Sequence, residues 1–307
     1  MNEKDNAALQ SGESKHFAIS DCNRFAGDCN SVVDGFRDAM RDAGIAYSGV
    51  IIPDGKLHRF HIDGRKSGTK DGAYRLYLDD FPGGWFQSFA SGIKGSWAWR
   101  KDVAMPQEVI RQRKENDRQR EIQTRQKQAA ASERAIRRWN KATPVKRKSQ
   151  HNYLIEKNIL PYGVRLWKGH LIIPLFDENF ALCSLQIIDS KGNKRFMADG
   201  RKRGCFFIIG DESASKTLIC EGYATGASLH QHTGDRVVVA FDAGNLLPVA
   251  QAIRGMWEGE IIVCGDNDAS GAGQEAANKA AFTIGAKVSI PPTKNTDWND
   301  VISGDSE

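Results

Sequence analysis

Two short apolar runs that end in acidic residues constrain the fold of this chain more than any other feature. Residues 217–220 (TLIC) precede Glu221, and residues 261–264 (IIVC) come shortly before Asp266 and Asp268. Continuous β-branched runs of this kind predict parallel strands that are buried on both faces. Open sheets of parallel strands bind their ligands at the carboxyl ends of the strands, which is where these acids stand.

The three carboxylates predict a metal site. Side by side at one sheet edge they would repel each other unless a divalent cation neutralised them. Asp266 and Asp268 are two residues apart, so both side chains lie on one side of an extended backbone and can share an ion. Carboxylate oxygens suit Mg²⁺ or Mn²⁺, and such ions commonly serve phosphate chemistry.

This arrangement of strands and acids resembles the Toprim domain shared by DnaG-type primases, topoisomerases and certain nucleases, over about residues 215–303. Three upstream stretches look like the basic subdomain that precedes Toprim in primases. These stretches are 169–177 (GHLIIPLFD), 184–196 (SLQIIDSKGNKRF) and 202–207 (KRGCFF). The phrases EGYATG (221–226) and DWNDV (297–301) are most similar to the primases of phages and conjugative plasmids.

The resemblance implies a DNA-templated primase that makes short RNA primers from nucleoside triphosphates by two-metal nucleotidyl transfer. It implies that Glu221 is a general base or positions metal, and that Asp266 and Asp268 bind Mg²⁺. It further implies that Asp297 and Asp300 complete a second metal site. The basic residues implied to hold template and incoming nucleotide are Lys194, Arg195, Lys202 and Arg203.

Two alternatives stay open for the acids. Asp268 precedes Gly271 and a predicted helix, so it can serve as a helix cap, although capping would explain one acid and not five. Asp242 also ends an apolar run, and a place in the site and a turn or cap role are equally compatible with the sequence.

Other functions of Toprim proteins are also compatible with parts of the pattern. A metal-dependent nuclease and a non-catalytic, single-stranded-DNA-binding regulatory protein are the alternatives to a primase. A topoisomerase is disfavoured because Ser270 stands where its third acid is expected. No phosphate-binding GxxxxGK[ST] motif is present, so a replicative helicase would act in trans, or in cis if the chain is a fragment.

The chain divides into five predicted segments in an α/β fold. A flexible N-terminus (1–30) precedes an antiparallel β unit (31–105), a basic helical linker (106–148), a basic β-rich primase subdomain (149–214) and a Rossmann-like Toprim domain (215–307). The Toprim strands are predicted at 217–221, 236–242, 260–265 and 287–290, with helices between them. The preceding subdomain is predicted to be a meander whose fourth strand is 205–209.

The N-terminal β unit resembles a zinc ribbon without an obvious zinc site. Its candidate ligands are Cys22, Cys29, His58 and His61, and their spacing is poor for zinc, so we expect none. A helix is predicted at 32–43. The core is predicted to close on Phe60, Leu76, Trp85 and Phe89, while template contacts by stacking and charge are predicted for Arg59, Lys66 and Trp85.

Charge is concentrated in the linker. Residues 106–148 hold fourteen Lys and Arg against five Asp and Glu, although the whole chain has a net charge of only +5. This excess predicts either a solvated helix or an electrostatic role towards nucleic acid. Helix is predicted over 106–142, either as a connector or as a helix that packs only at its ends, through Ile110 and Ile136–Trp139. The chain has no apolar run of membrane-spanning length, and its scattered cysteines favour a reducing cytoplasm.

Overall fold

The computed structural model describes residues 29–65, 70–89, 91–100, 103–211 and 214–304 of the chain. The fold is mixed α/β, as predicted, and divides into two compact units between Glu115 and Asn116. Cys22 and Lys66, which carry predictions, lie outside the described residues.

The N-terminal unit packs one helix against a four-stranded antiparallel sheet in the order β1-β2-β3-β4. Its elements are α1 (Cys29–Asp42), β1 (His58–Phe60), β2 (Gly72–Tyr77), β3 (Gly83–Ser88) and β4 (Lys94–Ala98). Val32, Phe36 and Met40 share the buried face of α1, which confirms the predicted helix. The Phe36 ring lies edge-to-face on Tyr74 and Phe86, and these rings form the centre of the core.

The predicted core of this unit is partly wrong. Phe60 and Leu76 are buried, but Phe89 is 51% exposed and Trp85 is only half-buried. Phe86 takes the inward position on β3. Because side chains alternate along a strand, the adjacent Trp85 faces the other side of the sheet.

A single long helix, α2 (Gln107–Lys141), follows the N-terminal sheet, close to the predicted bounds. Its buried residues are Ala131 and Ala135. The predicted packing through Ile136 is wrong, because that side chain is 43% exposed. Trp139 does pack against a hydrophobic cluster of the second unit, and the Arg165 guanidinium lies 4.4 Å from the centre of its ring.

The second unit contains two sheets, of which the first is antiparallel in the order β5-β6-β7-β8-β9. Its elements are β5 (Thr143–Pro144), α3 (Asn152–Glu156), β6 (Arg165–Trp167), β7 (His170–Phe176), β8 (Leu182–Ile188) and β9 (Lys194–Phe196). Every residue of β8 is buried, which explains its unbroken run of mainly apolar side chains.

The other sheet has the order β10-β12-β11-β13-β14 and is parallel except at β10. Its elements are β10 (Phe207–Ile209), β11 (Lys216–Cys220), α4 (Tyr223–Thr233), β12 (Arg236–Val239), α5 (Ala243–Met256), β13 (Glu260–Cys264), α6 (Ala272–Ile284), β14 (Lys287–Ser289) and α7 (Trp298–Ser303). The predicted alternation of strand and helix is confirmed, with small differences at the boundaries.

The position of β10 corrects one prediction. The segment 205–209 was expected to be the fourth strand of the preceding meander, but β10 pairs antiparallel with β12 at the edge of the parallel sheet. Its backbone pairing with the meander is limited, among the described residues, to an isolated bridge between Phe176 and Phe206. An apolar run of five residues specifies a strand but not its partner, so the sequence could not decide between the two sheets.

Candidate active site

Two neighbouring strands place Glu221 and Asp266 at one sheet edge. Strands β11 and β13 pair in parallel, with Cys220 opposite Cys264 at their carboxyl ends. Glu221 follows β11 directly, and Asp266 comes two residues after β13. The predicted pairing of these strand ends is therefore present.

Glu221 and Asp266 are partly buried, and each has one carboxylate oxygen that lacks a hydrogen-bond partner among the described residues. Glu221 Oε1 and Asp266 Oδ1 are both buried without a hydrogen-bond partner among the described residues. Burial and the nearby Asp266 raise the pKa of Glu221 to about 8, against a lowering by the backbone amide of Asp266. Burial, Asp297 and Asp268 raise the pKa of Asp266 to about 7. Both acids therefore resist ionisation when no cation is near.

Asp268 stands in a different environment. Its carboxylate accepts hydrogen bonds from the backbone amides of Ser270 and Gly273 and from the Ser270 hydroxyl. Burial raises the pKa of Asp268, but these hydrogen bonds outweigh burial and leave its pKa below the ordinary value. Asp268 thus stays ionised and caps the start of α6 at the same time.

The first turn of α6 closes one side of the acid group. A Cβ on Gly273 would stand 3.0 Å from both Glu221 Oε1 and Asp268 Oδ2, and 2.7 Å from the carbonyl oxygen of Asp266. Both side chains therefore reach the same small space, which is open only because residue 273 has no side chain. Sequence reasoning missed Gly273, although its position soon after the acids was a usable signal.

Asp297 and Asp300 form a capping box at the start of α7. Asp297 accepts hydrogen bonds from the amides of Asn299 and Asp300, and Asp300 accepts one from the Asp297 amide. Asp300 also lies 3.4 Å from Lys157 Nζ. Asp297 is close enough to Asp266 to raise the pKa of Asp266. With Asp268, three of the five predicted acids take part in capping, which is more than the sequence analysis expected.

Asn299 docks this helix and was missed by sequence reasoning. Its side chain is buried and donates hydrogen bonds to the carbonyl oxygen of Lys157 at 2.8 Å and to Ser228 Oγ at 2.7 Å. These bonds join α7 to the end of α3 and to α4. The neighbouring aspartates are thereby held beside the strand ends.

Of the predicted cations, Lys194 and Lys202 lie near acids. Desolvation and Lys157 lower the pKa of Lys194, while Asp297 and Asp266 partly offset the shift. Lys202 forms an ion pair with Asp242, and Asp242 in turn raises the pKa of Glu221.

Asp242 itself stands at the N-cap position of α5, but its side chain makes no cap hydrogen bond there. Asp242 therefore lies beside the acid group as well as at a helix start. Arg195 and Arg203 are exposed, and no hydrogen bond or ion pair joins either side chain to these acids within the described residues.

In the N-terminal unit the predicted template residues are separated. The Arg59 guanidinium lies 4.1 Å from the centre of the Phe89 ring and donates to the Lys70 carbonyl. Arg59 and Phe89 lie at the end of the β2–β3 hairpin where Gly72 pairs with Ser88. Trp85 lines a cleft towards the other end of the same hairpin. His58, one of the four candidate zinc ligands, instead contacts Asp54 Oδ1 at 2.8 Å.

The acid group of Glu221, Asp266 and Asp268 is a candidate site for a divalent ion. Among the residues that the structure describes, no three His, Cys, Asp or Glu side chains are grouped so that they could hold a metal as they stand. The donors are nevertheless all carboxylates, and Glu221 and Asp266 each have one buried oxygen without a hydrogen-bond partner among these residues. Carboxylate oxygens of this kind are the ligands that a hard cation prefers.

The region that contains this site matches a known domain family. Residues 216–306 match the Toprim domain family. Two Escherichia coli proteins named DNA primase TraC are 32% and 30% identical to this chain, over 85% and 84% of its length. The alignments cover 20% and 26% of those proteins, so the chain spans about a fifth to a quarter of the length of these relatives.

Solved structures of primases also resemble the chain. The primase fragment of the bacteriophage T7 primase-helicase is 18% identical and aligns over 53% of this chain and 75% of its own, with a TM-score of 0.39. The Aquifex aeolicus primase, with zinc-binding and RNA polymerase domains, is 12% identical over 91% of this chain and 83% of its own, with a TM-score of 0.40. Residues 216–306 therefore form a Toprim domain, and most of the chain is similar to part of the TraC DNA primases.

Proposed function

We propose that this protein is a DNA primase that joins nucleoside triphosphates on a single-stranded DNA template, in the replication of a phage, plasmid or other mobile element. The observation that carries the proposal is that Glu221 and Asp266, at adjoining strand ends of a Toprim domain, each have one buried carboxylate oxygen without a hydrogen-bond partner among the described residues. The relatives named DNA primase support it, because they align with most of this chain.

Glu221, Asp266 and Asp268 are the residues that would hold Mg²⁺ or Mn²⁺. When bound, such an ion neutralises these acids and stabilises the charge that develops during phosphoryl transfer. Asp268 is ready for this role because its hydrogen bonds keep it ionised. Glu221 is also the residue assigned to accept the proton of the primer 3′ hydroxyl, because its buried Oε1 has no hydrogen-bond partner among the described residues.

We assign Asp297 and Asp300 different roles at a second ion. One Asp297 oxygen accepts the two capping hydrogen bonds, and its other oxygen appears in none of them. Both Asp300 oxygens are engaged, one by the Asp297 amide and the other by Lys157. We therefore assign the ligand role to Asp297, and to Asp300 the role of holding Asp297 in place.

Basic side chains next to the acids would take the phosphates of the nucleotide and template. Lys194 lies near enough to Asp266 and Asp297 for both to raise its pKa, and a bound triphosphate would give it an anionic partner. Lys202 and Arg203 line an open cavity of about 610 Å³, and Lys202 also forms the ion pair with Asp242. Arg195, exposed on β9, would meet the template backbone. A helicase partner, within a longer chain or in trans, completes the proposal.

Incubation of the protein with single-stranded DNA, labelled nucleoside triphosphates and Mg²⁺ tests this function. The expected products are short oligonucleotides that disappear when a chelator is added. Shortened template would instead indicate a nuclease, and retention of DNA without any chemistry would indicate a binding protein. Either outcome would overturn the proposal.

A further inference from the structure

The N-terminal unit contains a cleft that the proposed chemistry does not use. The cleft has a volume of about 310 Å³ and lies where β2 ends and β3 begins. Its aromatic lining comes from Tyr77, Phe81, Trp85 and Trp97. A volume of this size is at the lower end for ligand pockets, so it suits one or two planar rings and not a helix.

The walls of this cleft are held in place by Arg113. The guanidinium donates to both carboxylate oxygens of Asp79, at 2.8 and 2.6 Å, and to the carbonyl oxygen of Phe81 at 2.7 Å. It also lies 4.2 Å from the centre of the Tyr77 ring. These contacts fix the turn between β2 and β3 before any ligand arrives, so binding would not have to order the turn.

The edge of the cleft is positively charged. Arg100 lines it and is exposed, and none of the described residues forms an ion pair with its side chain. Asp79, the acid that holds Arg113, has its charge balanced by that arginine. A ligand with a planar, stackable ring and an anionic backbone matches aromatic walls beside an unpaired cation.

We propose that this cleft binds one unstacked base of the single-stranded DNA template, with Arg100 on a flanking phosphate. The proposal rests on the proposed primase function and specifies where the N-terminal unit holds the template. Of the residues predicted from sequence to contact template, it selects Trp85 and not Arg59. The apolar lining and small volume favour a base over a peptide segment, which would need hydrogen-bond partners for its backbone.

Fluorescence anisotropy with a mixed-sequence single-stranded oligonucleotide tests the cleft in the full chain. Trp85→Ala should weaken binding about tenfold, as expected for the loss of one base stacked on an aromatic ring. Trp85→Phe keeps a stacking surface and should restore most of the affinity. Phe89→Ala is the matched control, because it removes an exposed ring from the opposite end of the same hairpin and should bind like the wild type.

The outcomes separate this inference from the proposed function. In primer synthesis, Trp85→Ala should raise the KM for template and leave kcat unchanged. Wild-type affinity for DNA in a folded Trp85→Ala protein would overturn the inference. A loss in Phe89→Ala with none in Trp85→Ala would place the template at the Arg59 end instead. Absence of primers from the wild type would overturn the proposed function.

Discussion

Glu221 and Asp266 destabilise the folded chain when no ion is bound to them. Each is partly buried and has one oxygen without a partner among the described residues, and burial raises the pKa of both, with Asp266 adding to the rise at Glu221. Buried like charges destabilise a protein unless something binds them, and such groups concentrate at functional sites. The folded state retains this repulsion because the proposed function needs it.

The residue-scale prediction is that Glu221→Gln stabilises the protein while it abolishes primer synthesis. The amide cannot ionise, so the repulsion with Asp266 disappears, but the amide also cannot accept a proton or hold Mg²⁺ as well. Thermal melting at about pH 8 in chelator should show a higher melting temperature than the wild type, because burial raises the pKa of Glu221 to about 8.

Glu260→Gln is the control for this prediction. Glu260 lies at the other end of β13, and the exposed ion pair with Lys287 holds its pKa below the ordinary value. This substitution should leave primer synthesis intact and should not raise the melting temperature. Equal activity of Glu221→Gln and the wild type would contradict the proposed role of Glu221.

At the scale of elements, the start of α6 determines the space available to the acids. We predict that Gly273→Ala lowers Mg²⁺ affinity and primer synthesis by about tenfold or more. A Cβ there would stand 3.0 Å from Glu221 Oε1 and Asp268 Oδ2, and those oxygens would have to move apart. Calorimetric titration with Mg²⁺ measures the effect on the site directly.

Gly255→Ala is the matched control in α5, because its Cβ would meet nothing within 4 Å. Alanine in a helix is about 1 kcal/mol more favourable than glycine, so Gly255→Ala should fold. In Gly273→Ala the Cβ also meets the Asp266 carbonyl oxygen at 2.7 Å, so circular dichroism should first show that this variant is folded. Unchanged Mg²⁺ affinity in Gly273→Ala would mean that the ion does not bind between Glu221 and Asp268.

The helices and strands were largely predictable from sequence where the spacing of apolar residues and the length of the apolar run indicate the same kind of element. Helix α1 follows from the spacing of its three buried residues, and β11 and β13 follow from β-branched runs that are buried on both faces. Strand β10 was assigned to the wrong sheet, because pairing depends on contacts distant in the sequence. Trp85 was placed in the core because adjacent aromatic residues leave the inward face ambiguous by one position.

The candidate site was predictable in part, because it lies at the ends of strands that the sequence predicts. The meeting of Glu221 with Asp266 follows from strand order alone, since strand ends of a parallel sheet share an edge. The capping bonds of Asp297 and Asp300, the docking role of Asn299 and the closeness of Gly273 depend on tertiary packing. No periodicity in the sequence encodes them.

At the scale of the whole molecule, stability should depend on pH and metal together. The pKa of Glu221 rises from 4.5 to about 8 and that of Asp266 from 3.8 to about 7 on folding. These two carboxyl groups therefore bind more protons in the folded protein than in the unfolded chain between about pH 4 and pH 8, and their contribution to stability falls as pH rises through that range. In chelator, the melting temperature should be lower near pH 8 than near pH 5.

Added Mg²⁺ should reverse this trend, because it binds the ionised acids. The stabilisation by Mg²⁺ should increase with pH and should be lost in Asp266→Asn. A metal-free protein that becomes more stable as pH rises across the same range would show that Glu221 and Asp266 are not a repelling pair.

No helix among the described residues is long and apolar enough to cross a membrane. The second unit brings two lysines and the acids of the Toprim domain together. The proposed chemistry takes place at one sheet edge of this unit.

The most direct test compares the wild type with Asp266→Asn and Asp268→Asn in primer synthesis on single-stranded DNA at saturating Mg²⁺ and nucleotides. The proposed chemistry predicts template-complementary oligonucleotides from the wild type and at least a hundredfold less from either variant, about the loss expected when one group that stabilises transition-state charge is removed. Circular dichroism should show both variants to be folded. Wild-type yields of primer from folded Asp266→Asn and Asp268→Asn proteins would contradict the account.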